Sequence, residues 1–485
     1  MGSLLPLLHI IGVIVGIFAF TMLVPLAFAW GGMDAARFAF DKALLITAGF
    51  GLVLYLTTRR FRRELQPRDG FLLVTLVWTV LPAFAMLPLL LQLPGLSVTD
   101  AYFEAMSGLT ATGATALTGL DALPLSINVW RCFLQWIGGL GIIVLTVAVL
   151  PLLGVGGTQL YKAETPGPMK DAKLTPRIAE TARGLWVVYF ALSALCMLAY
   201  ASAGMNWPDA FMHMGSTMGL GGFSSHDLSY GYWNSREIEA VAIIFMLLAG
   251  VNFMRYFMVW RSRSAMPLLR CIETRMFFLA VGSAIVLITV YLVVQGVYAT
   301  YGEALRHTAF HVVSLATTTG YASHDYAQWP LFAPLLMILL GCFASCAGST
   351  GGGIKMVRML LLLKQARHEL VRIVHPRVIN PVTLGGQTVP QQVLTAVLAY
   401  MLVYGASLTG LTLVMLFTGL DVVTGFTAVV ASVNNIGPGL GEVGPSVNFQ
   451  SLNDFQTWVC TFGMLLGRLE LLAVLVLFTP QFWRK

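Results

Sequence analysis

Apolar runs approaching or reaching membrane-spanning length recur along the chain: Leu4 to Ala29, Ala43 to Leu56 with its flanks, Phe71 to Leu93, Val187 to Ala203, Phe277 to Val297, and the stretch ending in Leu471 to Phe478. A helix needs roughly 20 predominantly apolar residues to cross a bilayer. Only 11% of the 485 residues are charged, against about 25% in an average soluble domain. Lipid is therefore the expected solvent for most of this chain, and hydrocarbon offers the backbone no hydrogen-bond partner, so the spans must be helical. An all-α integral membrane protein is expected. The first run has no basic start and no small-residue cleavage site, and is read as a retained helix rather than a secretory signal. Cys132, Cys196, Cys271, Cys342, Cys346 and Cys460 lie mostly in or beside apolar segments, without the spacing of a disulfide framework, and packing roles are expected.

The positive charges cluster. The segments 59–68, 162–183, 255–275 and 355–377, with the C-terminal Arg484 and Lys485, hold 23 of the 29 Lys and Arg. The positive-inside rule assigns these segments to the cytoplasm, and the ten spans expected below place both termini there. Most acids, among them Asp100, Glu104, Asp121, Asp209, Asp227, Glu239 and Asp325, then fall on the outer side. There they form either an acidic vestibule that concentrates cations or ordinary solvated loops.

An internal repeat organises the rest. His213 to Asp227 matches His311 to Asp325 without gaps, sharing His, Ser216 with Ser314, Gly222 with Gly320, Ser, His and Asp. Upstream, Ser107 precedes Gly113 as Ser216 precedes Gly222, which makes a third copy. A fourth, weaker copy is Ser432-Val433-Asn434-Asn435-Ile436-Gly437, whose serine is shifted by one, so that Gly437 and Gly439 both remain as registers. Each copy follows an apolar span and a short helix with an acidic residue near its start, a favourable place in the field of the helix N-terminus, and precedes a second span. The expected organisation is two leading helices in residues 1–69 and four span–pore loop–span repeats at 70–160, 180–262, 274–365 and 387–485, around a central pore in the manner of a potassium-channel-like pseudo-tetramer. The second span of the third repeat is expected to be broken.

Four strips entering from one side suggest chemistry. They are Thr110-Ala111-Thr112-Gly113-Ala114, Gly219-Leu220-Gly221-Gly222-Phe223, Thr317-Thr318-Thr319-Gly320-Tyr321 and Asn434-Asn435-Ile436-Gly437-Pro438. Carbonyl oxygens on extended backbone can replace the hydration shell of potassium when four strands face one another, and glycine tolerates the dihedrals this requires. A single Gly/Thr-rich strip reads more readily as a re-entrant turn or an outer loop; four with preserved spacing favour a filter. None repeats the TVGYG strip of tetrameric potassium channels, so a looser filter is expected, admitting rubidium and some sodium. His213, His226, His311 and His324 are expected in hydrogen-bonding or helix-end roles rather than as metal ligands, because no short-range ligand pair exists.

On these four strips the chain resembles the TrkH family of the Trk/Ktr/HKT superfamily of potassium transporters, over essentially its whole length and including the two leading helices. The resemblance implies Gly113, Gly222, Gly320 and Gly437 as filter glycines, with Thr110, Ala111, Thr112, Leu220, Gly221, Thr318, Thr319, Asn435 and Ile436 beside them, and potassium as the ion passing the filter backbone. It implies that Gly348-Ser349-Thr350-Gly351-Gly352-Gly353 with Lys355 form an intramembrane gating loop. Read on residues alone, that glycine run is a packed kink or, more weakly, a phosphate loop, although it departs from GxxxxGK[ST]. Arg468, well inside an apolar span, is expected to be functional because burying a charge in a membrane is expensive; a structural pair with Glu470 or with carbonyls is the other reading. The resemblance places an arginine here, near pore and gate.

Potassium uptake across the bacterial cytoplasmic membrane is the activity this resemblance implies, with an ion-coupled (proton or sodium) symporter as the alternative. An enzyme is not expected, since the spans show no nucleophile–base pair, metal quartet or cofactor fingerprint. Neither an organic cofactor nor nucleic acid is expected. The cytoplasmic loops are too short for a nucleotide-binding domain; the resemblance implies a cytosolic TrkA-type nucleotide-binding regulatory subunit, and a homodimer of the conducting chain in the lipid bilayer. Loops 162–183 and 355–377 are the contact surfaces to test first, although the positive-inside rule alone already accounts for their charge.

Overall fold

A computed structural model describes residues 4–32, 34–61, 66–144, 174–378 and 380–484. Of the basic residues singled out above, Arg62, Arg63, Lys162, Lys170, Lys173 and Lys485 lie outside the described residues.

The described chain is almost entirely helical. Leu5–Thr21 and Leu23–Gly32 run on as one 28-residue apolar span and pack against Arg37–Thr58. Small residues let these backbones touch: a methyl group on Gly51 would stand 2.7 Å from Gly16 N, and one on Gly12 2.9 Å from Tyr55 N. Four units follow. Their first spans are Pro67–Ala85 continued by Leu87–Gln92, then Leu174–Ser202, Ile272–Val294 and Gln391–Phe417. Their short helices are Val98–Leu109, Trp207–Gly219, Tyr301–Ala316 and Val422–Val433. The fold is thus two leading helices and four span–pore loop–span repeats around a central pore.

Each short helix starts at a side-chain cap, which satisfies a backbone N–H that the first turn leaves free. Ser97 Oγ accepts from Asp100 N at 3.0 Å, Asn206 Oδ1 from Asp209 N at 2.8 Å, Thr300 Oγ1 from Glu303 N at 3.3 Å and Asp421 Oδ2 from Thr424 N at 3.0 Å. In three repeats the acid therefore sits inside the first turn and a neutral residue caps; only in the fourth is the acid itself the cap.

The second spans differ from one another. Leu125–Val144 runs to the edge of the described residues. In the second repeat Arg236–Ala249 and Phe253–Ser262 meet at 85°, and in the fourth Asp454–Arg468 meets the helical stretch Leu471–Phe478 at 111°. The third is interrupted between Phe332–Phe343 and Met356–Val374. The sequence reading placed a break only in the third repeat, where glycines accumulate. The other two turn on subtler devices: Asn252 Oδ1 accepts from Met254 N at 2.8 Å and starts a new helix, while Glu470 adopts a left-handed φ of 57°. Six described helices are long and apolar enough to cross a membrane, or eight if each bent pair counts as one span. The interrupted third-repeat span and Leu125–Val144 complete the ten expected.

Three acids assigned to the outer side are buried, Asp209 against Ser225 and the other two against arginines. Glu104, 1% exposed, accepts from Arg131 Nε at 2.7 Å, from Thr115 Oγ1 and from Ala116 N. Glu239 takes two 2.8 Å bonds from Arg306. The arginine partners lie 27 and 67 residues away in sequence, so charge patterning could not pair them. Arg131 is consequently a further buried arginine besides Arg358 and Arg468. A two-residue hairpin, Thr383–Leu384 with Gln387–Thr388, turns on Gly385 and Gly386 and is the sole sheet among the described residues.

Candidate ion-conduction site

All four strips adopt the same backbone. Each has a left-handed residue followed two positions later by a glycine with positive φ: Ala111 and Gly113 (50° and 86°), Leu220 and Gly222 (53° and 79°), Thr318 and Gly320 (62° and 85°), Asn435 and Gly437 (54° and 97°). Left-handed backbone is strained for a side chain with Cβ, least so for Asn. A matching bond closes each short helix: Thr112 N to Ser107 O, Gly221 N to Ser216 O, Thr319 N to Ser314 O and Ile436 N to Ala431 O, all 2.8–2.9 Å. In the fourth repeat it is thus Gly437, not Gly439, that shares the common geometry. Ala431 occupies the position of the repeated serine; the shifted Ser432 had obscured the register.

The strips also meet one another in a closed cycle. A methyl group on Gly113 would collide with the carbonyl oxygen of Gly221, one on Gly222 with that of Thr319, and one on Gly320 with that of Ile436. A methyl group on Gly437 would lie 2.7 Å from Thr112 O, which returns to the first repeat. Each glycine therefore makes room for the carbonyl that precedes the glycine of the next repeat.

Neighbouring side chains hold the strips. Thr110 and Thr112 hydroxyls bond each other at 2.7 Å, as do those of Thr317 and Thr319 at 2.8 Å. Asn435 Nδ2 donates to Thr112 Oγ1 at 2.9 Å and to Met464 O at 3.1 Å. Gln135, fully buried on the second span of the first repeat, donates to Gly221 O at 2.7 Å and accepts from Phe223 N at 3.0 Å. Nothing in the repeat pattern pointed to Gln135, because its partners lie 86 and 88 residues away.

His213 and His311 play equivalent parts. Each Nδ1 bonds the carbonyl four residues back, of Asp209 and His307, and each Nε2 meets the chain beyond the strip, at Ser224 Oγ or at the Ser323 and His324 amides. They brace the short helix against the descending strand. His226 instead joins two repeats: Nδ1 contacts Asp121 Oδ1, Nε2 lies 3.5 Å from Asp209 Oδ2, and the ring stacks on Tyr232. Partial burial disfavours the imidazolium, but the hydrogen bonds to Asp209 and Asp121 outweigh it and raise the His226 pKa above its ordinary value. Asp121 is correspondingly held below the usual carboxylate range: partial burial works against this, and bonds from His226 and the Asp227 amide prevail.

Directly against the strips lies the glycine-rich segment. Gly352 N donates to Thr318 Oγ1 at 2.8 Å, and Thr350 Oγ1 donates to Met218 O at 2.9 Å. A methyl group on Gly352 would collide with Asn434 O, and one on Gly351 would stand 2.9 Å from Thr317 O. Gly348 and Gly353 take φ values of 74° and 78°, and Ser349 Oγ bonds Cys346 O at 2.6 Å. Arg468, 3% exposed, donates through Nη1 to Thr350 O and through Nη2 to Gly138 O, both at 2.9 Å. Its Nε has no partner among the described residues. Glu470, the alternative partner, is taken by Arg358 at 2.7 Å. Lys355 Nζ turns back to Gly351 O. The segment therefore interrupts the third-repeat span, bonded to second- and third-repeat residues, to Gly138 through Arg468, and packed on the fourth strip.

A model of the TrkH family, described as a cation transport protein, matches residues 36–485. The chain is 45% identical to the Trk system potassium uptake protein TrkH of Halomonas elongata over the full length of both. It is 44% identical to the Escherichia coli protein of that name, over 98% of this chain and 99% of the relative. The crystal structure of the potassium transporter TrkH from Vibrio parahaemolyticus superposes with a TM-score of 0.92 at 40% identity, covering 99% of each chain. Repeat architecture, strip geometry and these similarities lead to one assignment: the chain belongs to the TrkH family of cation transport proteins.

Proposed function

We propose that this chain takes up potassium across the bacterial cytoplasmic membrane through a filter made by the four strips, with residues 110–113, 220–222, 318–320 and 435–437 lining it. The observation that carries the reading is the closed cycle of glycines and carbonyls. Four peptide oxygens packed in rotation around one axis can replace water around a monovalent cation, while the C-terminal ends of four helices, each with a partial charge of about −0.5, face the same place. Potassium is the substrate named in the relatives' descriptions.

Gly348 to Gly353, Lys355 and Arg468 form the gate in this reading. Two cationic side chains beside this segment raise the barrier to a permeating cation, and its backbone, packed against the strips, acts as a plug. The basic segments face the cytoplasm together with both termini, and a TrkA-type nucleotide-binding subunit acts on that face. A homodimer fits the apolar side chains of Leu363, Leu370, Ile373 and Val374, which stand 60–75% exposed on Met356–Val374.

Rubidium flux into liposomes carrying the purified protein tests the reading. Flux that follows an imposed electrical potential alone is expected. Its absence from the wild type and from Arg468→Ala alike would overturn conduction through the strips, and flux that required a proton or sodium gradient would favour a symporter.

A further inference from the structure

The start of the plug is gripped from two directions. Cys346 N donates to Gly250 O and Phe253 N donates to Gly348 O, both at 3.1 Å, so the break in the second-repeat span holds it on one side. On the other, Glu273 Oε1 accepts from Ala347 N at 2.6 Å and from Val357 N at 3.2 Å. One carboxylate oxygen thereby joins both ends of the segment 347–357. Glu273 is 1% exposed and lies in the first turn of Ile272–Val294, where the helix N-terminus favours a negative charge.

The two grips belong to a single stretch of chain. Between Phe253 and Glu273 run the short helices Phe253–Ser262 and Met266–Leu269, with Arg261, Arg263 and Arg270 exposed. In the proposed orientation this basic hairpin lies in the cytoplasm, and a displacement of it is transmitted to the plug at both of its ends. A buried carboxylate is costly unless its bonds are strong, and bonds from backbone N–H to an ionised oxygen are about twice as strong as neutral ones.

We propose that Glu273 is a positioning residue that couples the hairpin 253–272 to the plug and holds the plug shut under the strips. This rests on the gate reading above. A merely structural carboxylate predicts lower flux when removed; a latch predicts higher flux.

The test is rubidium flux through the full-length protein in liposomes without any partner. Glu273→Ala is expected to raise it at least tenfold, since loss of even one charge-assisted bond is worth about that factor. Glu273→Gln, which keeps a neutral acceptor of the same shape, is expected to give a smaller rise. Wild-type or lower flux from Glu273→Ala beside raised flux from Arg468→Ala overturns the latch and leaves the gate standing. No rise from either variant overturns both. Should the alanine variant fail to insert, hydrogen exchange over 344–357 in Glu273→Gln decides: faster exchange than wild type is expected, and unchanged exchange overturns the proposal.

Discussion

Asn435 Nδ2 reaches Thr112 Oγ1 at 2.9 Å across 323 residues of sequence, tying the last strip to the first. The same residue holds a left-handed backbone at φ 54°, which Asn tolerates better than most residues. Asn435→Ala removes both bonds and adds backbone strain. A stability loss of about 1–3 kcal/mol is expected, read as a lower melting temperature in detergent, together with weaker discrimination between rubidium and sodium. An unchanged melting temperature would show that the tie is dispensable.

Gly113→Ser and Gly320→Ser place a Cβ where the carbonyls of Gly221 and Ile436 stand. The strand must shift, and in the proposed filter the carbonyl that would face the ion shifts with it. Selectivity for potassium over sodium should fall, as measured by flux ratios in liposomes. Unaltered ratios in a normally inserted variant would count against these strips as the filter.

Arg468 contributes two bonds that pin Thr350 and Gly138 to each other through one guanidinium. Arg468→Ala unpins the plug and removes its charge, so basal flux without a regulatory partner should increase. Equal or lower flux from a folded variant would defeat this assignment.

Glu104 and Arg131 form a buried pair in which each is 1% exposed. Breaking such a pair from one side leaves an uncompensated charge and costs about 3–5 kcal/mol. Glu104→Ala should therefore lower thermal stability more than replacement of both partners by apolar residues. The comparison of single and double variants by thermal unfolding checks it.

His226 makes the outer link between repeats sensitive to pH. Its folded pKa is raised, so its contribution is complete below the ordinary histidine value of about 6.5 and is lost as pH rises through the folded value. Asp121 is lowered, so its share is present above about 3.8 and disappears only in more acidic solution. Melting temperature should fall more steeply as pH rises above about 6.5 for the wild type than for His226→Gln. Parallel slopes would remove His226 from the account.

Hydropathy and the recurrent glycine were legible from the chain alone because both are local. Apolar runs require helical spans, and Gly113, Gly222 and Gly320 keep their distance from Ser107, Ser216 and Ser314 whatever the neighbours do. Tertiary structure decided the rest: Gly437 over Gly439, the bends at Gly250–Asn252 and Leu469–Glu470, and the partners of Arg468, Glu104 and Glu273. Each of these depends on which backbone group a side chain meets after the four repeats have closed around an axis, and spacing along the sequence carries no such distance.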